Sequence, residues 1–152
     1  LKLLDDVLLP AFKTVENLKL LLLVHDVPQD FQLIKLYPGR VQKAWLKPGE
    51  VMKTICCCDY GWLVREKSET NRVASPVKFA EYLAAGLRVI ISPGLGDYPE
   101  FVKQHNAGFA WEKNAVLMFG PVASDEKKRI TSLARQFFTK EVYREQYLRL
   151  LA

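Results

Sequence analysis

"NRVASPVKFAEYLAAGLRVIISPGLGDYPE", residues 71–100, passes from polar loop to helix to apolar strand to glycine-bearing loop. Ser75 suits an N-cap, and Pro76 suits the first helical position, where its missing N–H would be unpaired anyway. The helix expected over 76–85 stops at Gly86, which fits a left-handed C′ residue. "RVIIS", 88–92, is a continuous apolar run and reads as a buried strand. "SPGLGDYP", 92–99, turns the chain into another helix running to about Asn106, with Asp97 and Glu100 spaced as a capping box.

The same alternation extends outward. Upstream lie a strand at "YGWLVRE", 60–66, and a polar loop at "KSETNRVA", 67–74. A short helix from Pro48 to about Cys57 precedes them, and "VQKAWL", 41–46, is a further strand. Residues 26–40 are mixed, broken by Pro28, Pro38 and Gly39. Leu18 to Val24, aliphatic except for Lys19, is expected to be a strand covered on both faces, and Leu1 to Val15 reads as an amphipathic helix interrupted at Pro10. Downstream, "AGFAW", 107–111, is a last short strand before two helices near 124–137 and 140–151. Strands alternating with helices imply an α/β fold: a Rossmann-like parallel sheet with helices on both faces, as one domain over 1–152. In such sheets ligands bind at loops beyond the carboxyl ends of the strands, here 66–75 and 92–97.

The bulk composition narrows the function classes. The chain has 152 residues, 49% of them apolar, enough for a real core. Its 22 Lys and Arg against 17 Asp and Glu give a net charge of +5, too small and too scattered to argue for nucleic acid. The longest aliphatic run, Leu20 to Val24, is far short of the roughly 20 residues of a membrane span. Cys56, Cys57 and Cys58 are consecutive, so they cannot converge on one metal, and they are expected to be small buried apolar residues of a protein in a reducing compartment. "LKLLDDVLLPAF" opens inside a helical pattern without a methionine or cap, which suggests a fragment.

The chemistry concentrates at the start of the 76–85 helix. Amides of the first turn, at Val77 and Lys78, have no partner within the helix and lie at the positive end of its dipole, which suits an anion and phosphate above all. Lys78 in that turn is locally unfavourable unless an anion sits between dipole and ammonium. Glu81 is one turn on, flanked by Ala80, Ala84 and Ala85, where it can accept hydrogen bonds from the vicinal hydroxyls of a ribose. Phe79, Tyr82 and Leu83 are expected to face the core. The plainer alternative is a surface Lys78–Glu81 ion pair. Gly94 and Gly96 let backbone approach a ligand, or simply make a tight turn. They do not form the dinucleotide fingerprint, because Pro99 stands at the third glycine position. His25 and His105 show no spacing to a nucleophile or metal partner. Trp45, Trp62 and Trp111 are expected to pack, Trp45 being the best candidate to lie against a planar base.

At Ser75-Pro76, Lys78, Glu81-Tyr82-Leu83-Ala84-Ala85-Gly86, Val89-Ile90-Ile91-Ser92 and Pro99-Glu100, the sequence resembles the nucleotide-sugar-binding, C-terminal half of retaining GT-B glycosyltransferases of the group-one, family-4-like type. "EVMKTICCCDYGWLV" and the two terminal helices are also similar to that family. The likeness runs from about Lys13, although its specific motifs fall in the central thirty residues. It implies a nucleoside diphosphate sugar of UDP or GDP type as donor, a saccharide or lipid-linked acceptor, and no required metal. It further implies a diphosphate at Ser75, Val77 and Lys78, ribose at Glu81, and donor sugar bordered by Gly94 and Gly96. Arg65 would reach the same phosphates, or be a plain surface arginine. No catalytic residue is identified. The family often places a glutamate eight residues before the ribose glutamate, where this chain has Val73. The acceptor-binding domain of such enzymes is absent from the sequence, so transfer belongs to a longer protein. That setting is cytoplasmic, with room for peripheral contact with the inner membrane face. A nucleotide-sugar epimerase, or a scaffold domain that kept the fold and lost transfer, are the alternatives.

Overall fold

The computed structural model describes residues 2–66, 68, 77–112, 115, 117–144 and 148–149. The fold is α/β and Rossmann-like, with parallel strands flanked by helices. It divides into two compact units: Leu1–Val51 with Asn114–Gly120, and Met52–Lys113 with Pro121–Ala152.

The first unit contains helix α1 (Lys2–Thr14), strand β1 (Leu20–Leu23), short helix α2 (Gln32–Leu36) and strand β2 (Val41–Ala44), and helix α3 (Pro48–Ile55) begins in it. β1 and β2 pair in parallel, Leu20 opposite Val41 and Leu23 opposite Ala44. Leu4, Val7, Leu8, Ala11 and Phe12 bury one stripe of α1, the helical repeat that the sequence shows, and Pro10 lies within the helix. Two charged residues hold the unit together. The buried Asp5 carboxylate accepts the Gln32 and Leu33 N–H groups at 2.7 and 3.0 Å and so caps α2 from another element. Arg40 stacks on the Phe12 and Tyr37 rings and donates to the carbonyls of Phe12, Val15 and Glu16 at the end of α1. The expectation that residues 18–24 are covered on both faces is corrected: only Leu22 of β1 is buried.

The second unit contains strand β3 (Tyr60–Leu63), helix α4 (Val77–Ala84), strand β4 (Arg88–Ile91), helix α5 (Tyr98–Gln104), strand β5 (Gly108–Ala110), helix α6 (Ser124–Phe137) and a 3₁₀ turn (Lys140–Tyr143) where the last helix was expected to start. The strands run parallel in the order β3-β4-β5, with Leu63 opposite Ile91 and Ile91 opposite Ala110. One face of the sheet, Leu63, Val89 and Ile91, joins Phe79 and Leu83 of α4, Val102 of α5 and Ile130, Leu133 and Ala134 of α6 in a single core.

The turn after α4 forms as expected. Gly86 has φ +75°, and the Gly86 and Leu87 N–H groups donate back to the carbonyls of Leu83 and Tyr82, both at 2.9 Å. Those two bonds make a Schellman motif. A Cβ at Gly86 would sit 2.9 Å from the Lys127 carbonyl oxygen, so the same glycine also lets α6 approach.

Asp97 does precede α5, but its side chain makes no capping bond, and the expected capping box is absent. Its φ of −89° and ψ of 0° differ from the extended conformation that turns an N-cap side chain toward the first amides. The cysteines are also corrected. α3 ends at Ile55, and Cys56 and Cys57 are exposed in the turn beyond it, with Cys58 half-buried.

Candidate functional site

The carboxyl ends of β3 and β4 point the same way because the strands are parallel. A helix that returns the chain between them starts at that carboxyl edge. The first turn of α4, the exit of β3 at residues 64–66 and the loop 92–97 therefore share one edge of this sheet. Phe79 in the first turn of α4 contacts Tyr98, the first residue of α5, with ring centroids 4.7 Å apart. The two helix starts thus lie side by side.

Ser75 and Pro76 lie outside the described residues. Val77 opens α4 and is 72% exposed, so the helix tip faces solvent and not the core. No described residue accepts the Val77 or Lys78 amides, and neither needs an intrahelical partner in the first turn. Lys78 is exposed and Glu81 half-buried. The surface ion pair between them does not form among the described residues. Phe79 and Leu83 are buried, as the helical spacing requires, and Tyr82 is half-buried.

Gly94 and Gly96 are exposed with φ of +77° and +52°, conformations that a β-carbon disfavours. A Cβ at Gly94 would meet nothing within 4 Å, so its backbone borders open space. Arg65 is exposed at the exit of β3, and its main-chain N–H donates to Ser92 Oγ at 3.1 Å.

Sequence reasoning did not assign Tyr82 or Ser92 to the site. The Tyr82 hydroxyl donates to the Trp62 carbonyl at 3.3 Å. Burial pushes its phenol above the ordinary range, negative charge at Glu81 and Cys58 adds to this, and Arg65 opposes it. Arg65 and Glu81, on different elements, thus lie within electrostatic reach of one phenol. A serine directly following an apolar strand was the only sequence signal for Ser92.

In the first unit, His25 and Trp45 follow the carboxyl ends of β1 and β2. Their rings meet edge to face at 5.4 Å, and Trp45 is 70% exposed, against the expectation that it packs. His25 Nδ1 lies 2.6 Å from Asp26 Oδ2 at an exposed position. His105 ends α5 and packs on Phe101 and Phe137. Among the described residues, no three His, Cys, Asp or Glu side chains are grouped to hold a metal ion. No helix there is long and apolar enough to cross a membrane.

Fold and site define an α/β, Rossmann-like chain with an exposed, basic helix start at the carboxyl edge of a parallel sheet. No family model matches the sequence, and no curated protein or solved structure matches it.

Proposed function

We propose that this chain is the donor-binding domain of a glycosyltransferase that takes its sugar from a nucleoside diphosphate sugar of UDP or GDP type. The observation that carries the reading is the start of α4: an exposed tip where, among the described residues, nothing accepts from the Val77 or Lys78 amides or pairs with the Lys78 ammonium. Exposed amides, helix dipole and a lysine together favour a bound diphosphate. Ser75, Val77, Lys78 and Arg65 hold the phosphates, Glu81 accepts from the ribose hydroxyls, and Gly94 and Gly96 border the donor sugar. The departing diphosphate is stabilised by these fixed dipoles and cations, with no metal required. The acceptor is a saccharide or a lipid-linked saccharide, held by a separate domain on the cytoplasmic side of the membrane. The 152 residues by themselves therefore bind nucleotide weakly and transfer nothing.

Calorimetric titration with UDP and GDP tests this on the parent, Lys78→Ala and Glu81→Ala chains. Weaker binding by both variants supports the assignment, and binding equal to the parent by both removes it. Val73, where the resemblance calls for a glutamate, favours a second reading, a nucleotide-binding domain that has lost transfer. Sugar transfer by the full-length protein decides between the two.

A further inference from the structure

Ser92 is one of two buried polar or charged residues among those described, with 7% of its surface exposed. Buried hydroxyls need a partner, and the partner of this one is a main-chain amide on the neighbouring strand's exit. The β3–β4 ladder has its last paired residues at Leu63 and Ile91. One residue beyond Ile91, Ser92 Oγ accepts the Arg65 main-chain N–H at 3.1 Å. On the opposite side of β4, the Trp111 N–H donates to the Ile91 carbonyl at 2.7 Å. The exit of β4 is therefore tied to the β5 side by main chain, and to the β3 side by a side chain. A side-chain acceptor in place of a main-chain carbonyl keeps the Arg65 amide satisfied as the ladder ends. It also fixes where the Arg65 side chain starts.

We infer that Ser92 is a positioning residue for diphosphate binding: its hydroxyl anchors Arg65 at the carboxyl edge of the sheet, so that the guanidinium serves an anion at the start of α4. The inference rests on the nucleotide-binding reading above and adds to it a residue that need not touch the ligand. An anchored backbone lowers the ordering cost that a long side chain incurs when it binds. Arginine gains most from such anchoring, because its planar fork must meet two oxygens at once. The charge of Arg65 already reaches the Tyr82 phenol, next in sequence to Glu81.

The test is a double-mutant cycle on the full 152-residue chain, read by calorimetry with UDP and GDP. Ser92→Ala is expected to weaken binding about fivefold in the parent and less than about twofold in an Arg65→Ala background, as contacting residues couple. Ser92→Thr, which keeps the hydroxyl, restores parental affinity. Amide exchange at Arg65 supplies a readout independent of the ligand, and is expected to quicken in Ser92→Ala but not in Ser92→Thr. Fully additive effects of Ser92→Ala and Arg65→Ala overturn the positioning role while nucleotide binding stands. So does unchanged exchange at the Arg65 amide. A parent chain that binds neither UDP nor GDP overturns the nucleotide reading, and the positioning role with it.

Discussion

The Tyr82 ring lies against Gly61: a Cβ at Gly61 would come 2.4 Å from both Cγ and Cδ2 of that ring. α4 and β3 meet through this missing side chain, and the Tyr82 hydroxyl completes the contact by donating to the Trp62 carbonyl. A methyl at that distance meets the root of a ring, not a movable chain end. Gly61→Ala is expected to destabilise the second unit by about 1–3 kcal/mol, the usual cost of overpacking. Tyr82→Phe, which loses only the hydrogen bond, costs about 1 kcal/mol. In a Tyr82→Ala background the Gly61→Ala penalty should largely vanish in denaturant titrations. An undiminished penalty there would show that the ring is not what the methyl meets.

The second unit also carries a charge network at the opposite end of its sheet. Glu126 accepts two bonds from Arg129, at 2.7 and 2.8 Å, and lies 3.6 Å from Arg88. Arg129 also donates to the His105 and Asn106 carbonyls at the end of α5. The Arg129 hydrogen bonds hold the Glu126 carboxyl below its ordinary range, with the charges of Arg129 and Arg88 helping and burial opposing. A carboxyl depressed in the folded state stabilises the fold above its unfolded pKa of about 4.3 and loses that contribution as pH falls through the folded value. Glu126→Gln should therefore cost about 1 kcal/mol at pH 7, a modest figure because Arg129 is 40% exposed. Below about pH 4.3 the gap between the two proteins should close. Parallel stability curves from pH 7 to pH 3 would rule out this linkage.

Local signals were legible in the sequence and remote ones were not. β4 announced itself by its apolar run, and the end of α4 by Gly86, because each depends on neighbouring residues alone. Lys78 and Glu81 could be placed on one helix for the same reason. α2 was missed because it has five residues and is capped by Asp5, 27 positions away in the chain. The Asp97–Glu100 spacing misled, since spacing alone does not set the backbone angles that a cap needs. The Arg65–Ser92 bond, and the effect of both Arg65 and Glu81 on the Tyr82 phenol, arise only once β3, α4 and β4 pack together.

Asp5 gives the first unit a sharp test. Its carboxylate satisfies two α2 amides that no turn of that helix can reach. Asp5→Ala should destabilise the unit by about 1–2 kcal/mol, in line with the loss of a good cap. The effect should be local: amide exchange at Gln32 and Leu33 quickens most, and Asp5→Asn, which keeps one acceptor, falls between. Unchanged protection of those two amides in Asp5→Ala would contradict the cap.

The three consecutive cysteines should separate by reactivity. Cys56 and Cys57 are exposed, whereas burial, then the neighbouring Cys57, push the Cys58 thiol up against the opposing charge of Lys127. The thiolate is the reactive form, so Cys58 reacts last at pH 8. In a Cys56→Ser/Cys57→Ser chain, burial still acts on Cys58, and its rate of alkylation should rise with a midpoint above the free-cysteine value of about 8.5. A midpoint at or below that value would mean the thiol is not buried as the structure has it.

The proposed division of labour along α4 can be read with two ligands instead of one. Lys78 is assigned to phosphate and Glu81 to ribose, so inorganic pyrophosphate should sense the first and not the second. Lys78→Ala is expected to weaken pyrophosphate and UDP or GDP alike, by about tenfold, the scale of one charge-assisted hydrogen bond. Glu81→Ala should weaken the nucleotides about fivefold and leave pyrophosphate as tight or slightly tighter, since a negative charge is removed. A 2′,3′-dideoxynucleoside diphosphate should then bind parent and Glu81→Ala chains equally, because the hydroxyls that the carboxylate accepts from are gone. If Glu81→Ala weakens pyrophosphate as much as it weakens UDP and GDP, the carboxylate acts by shaping the helix, and the ribose contact is withdrawn.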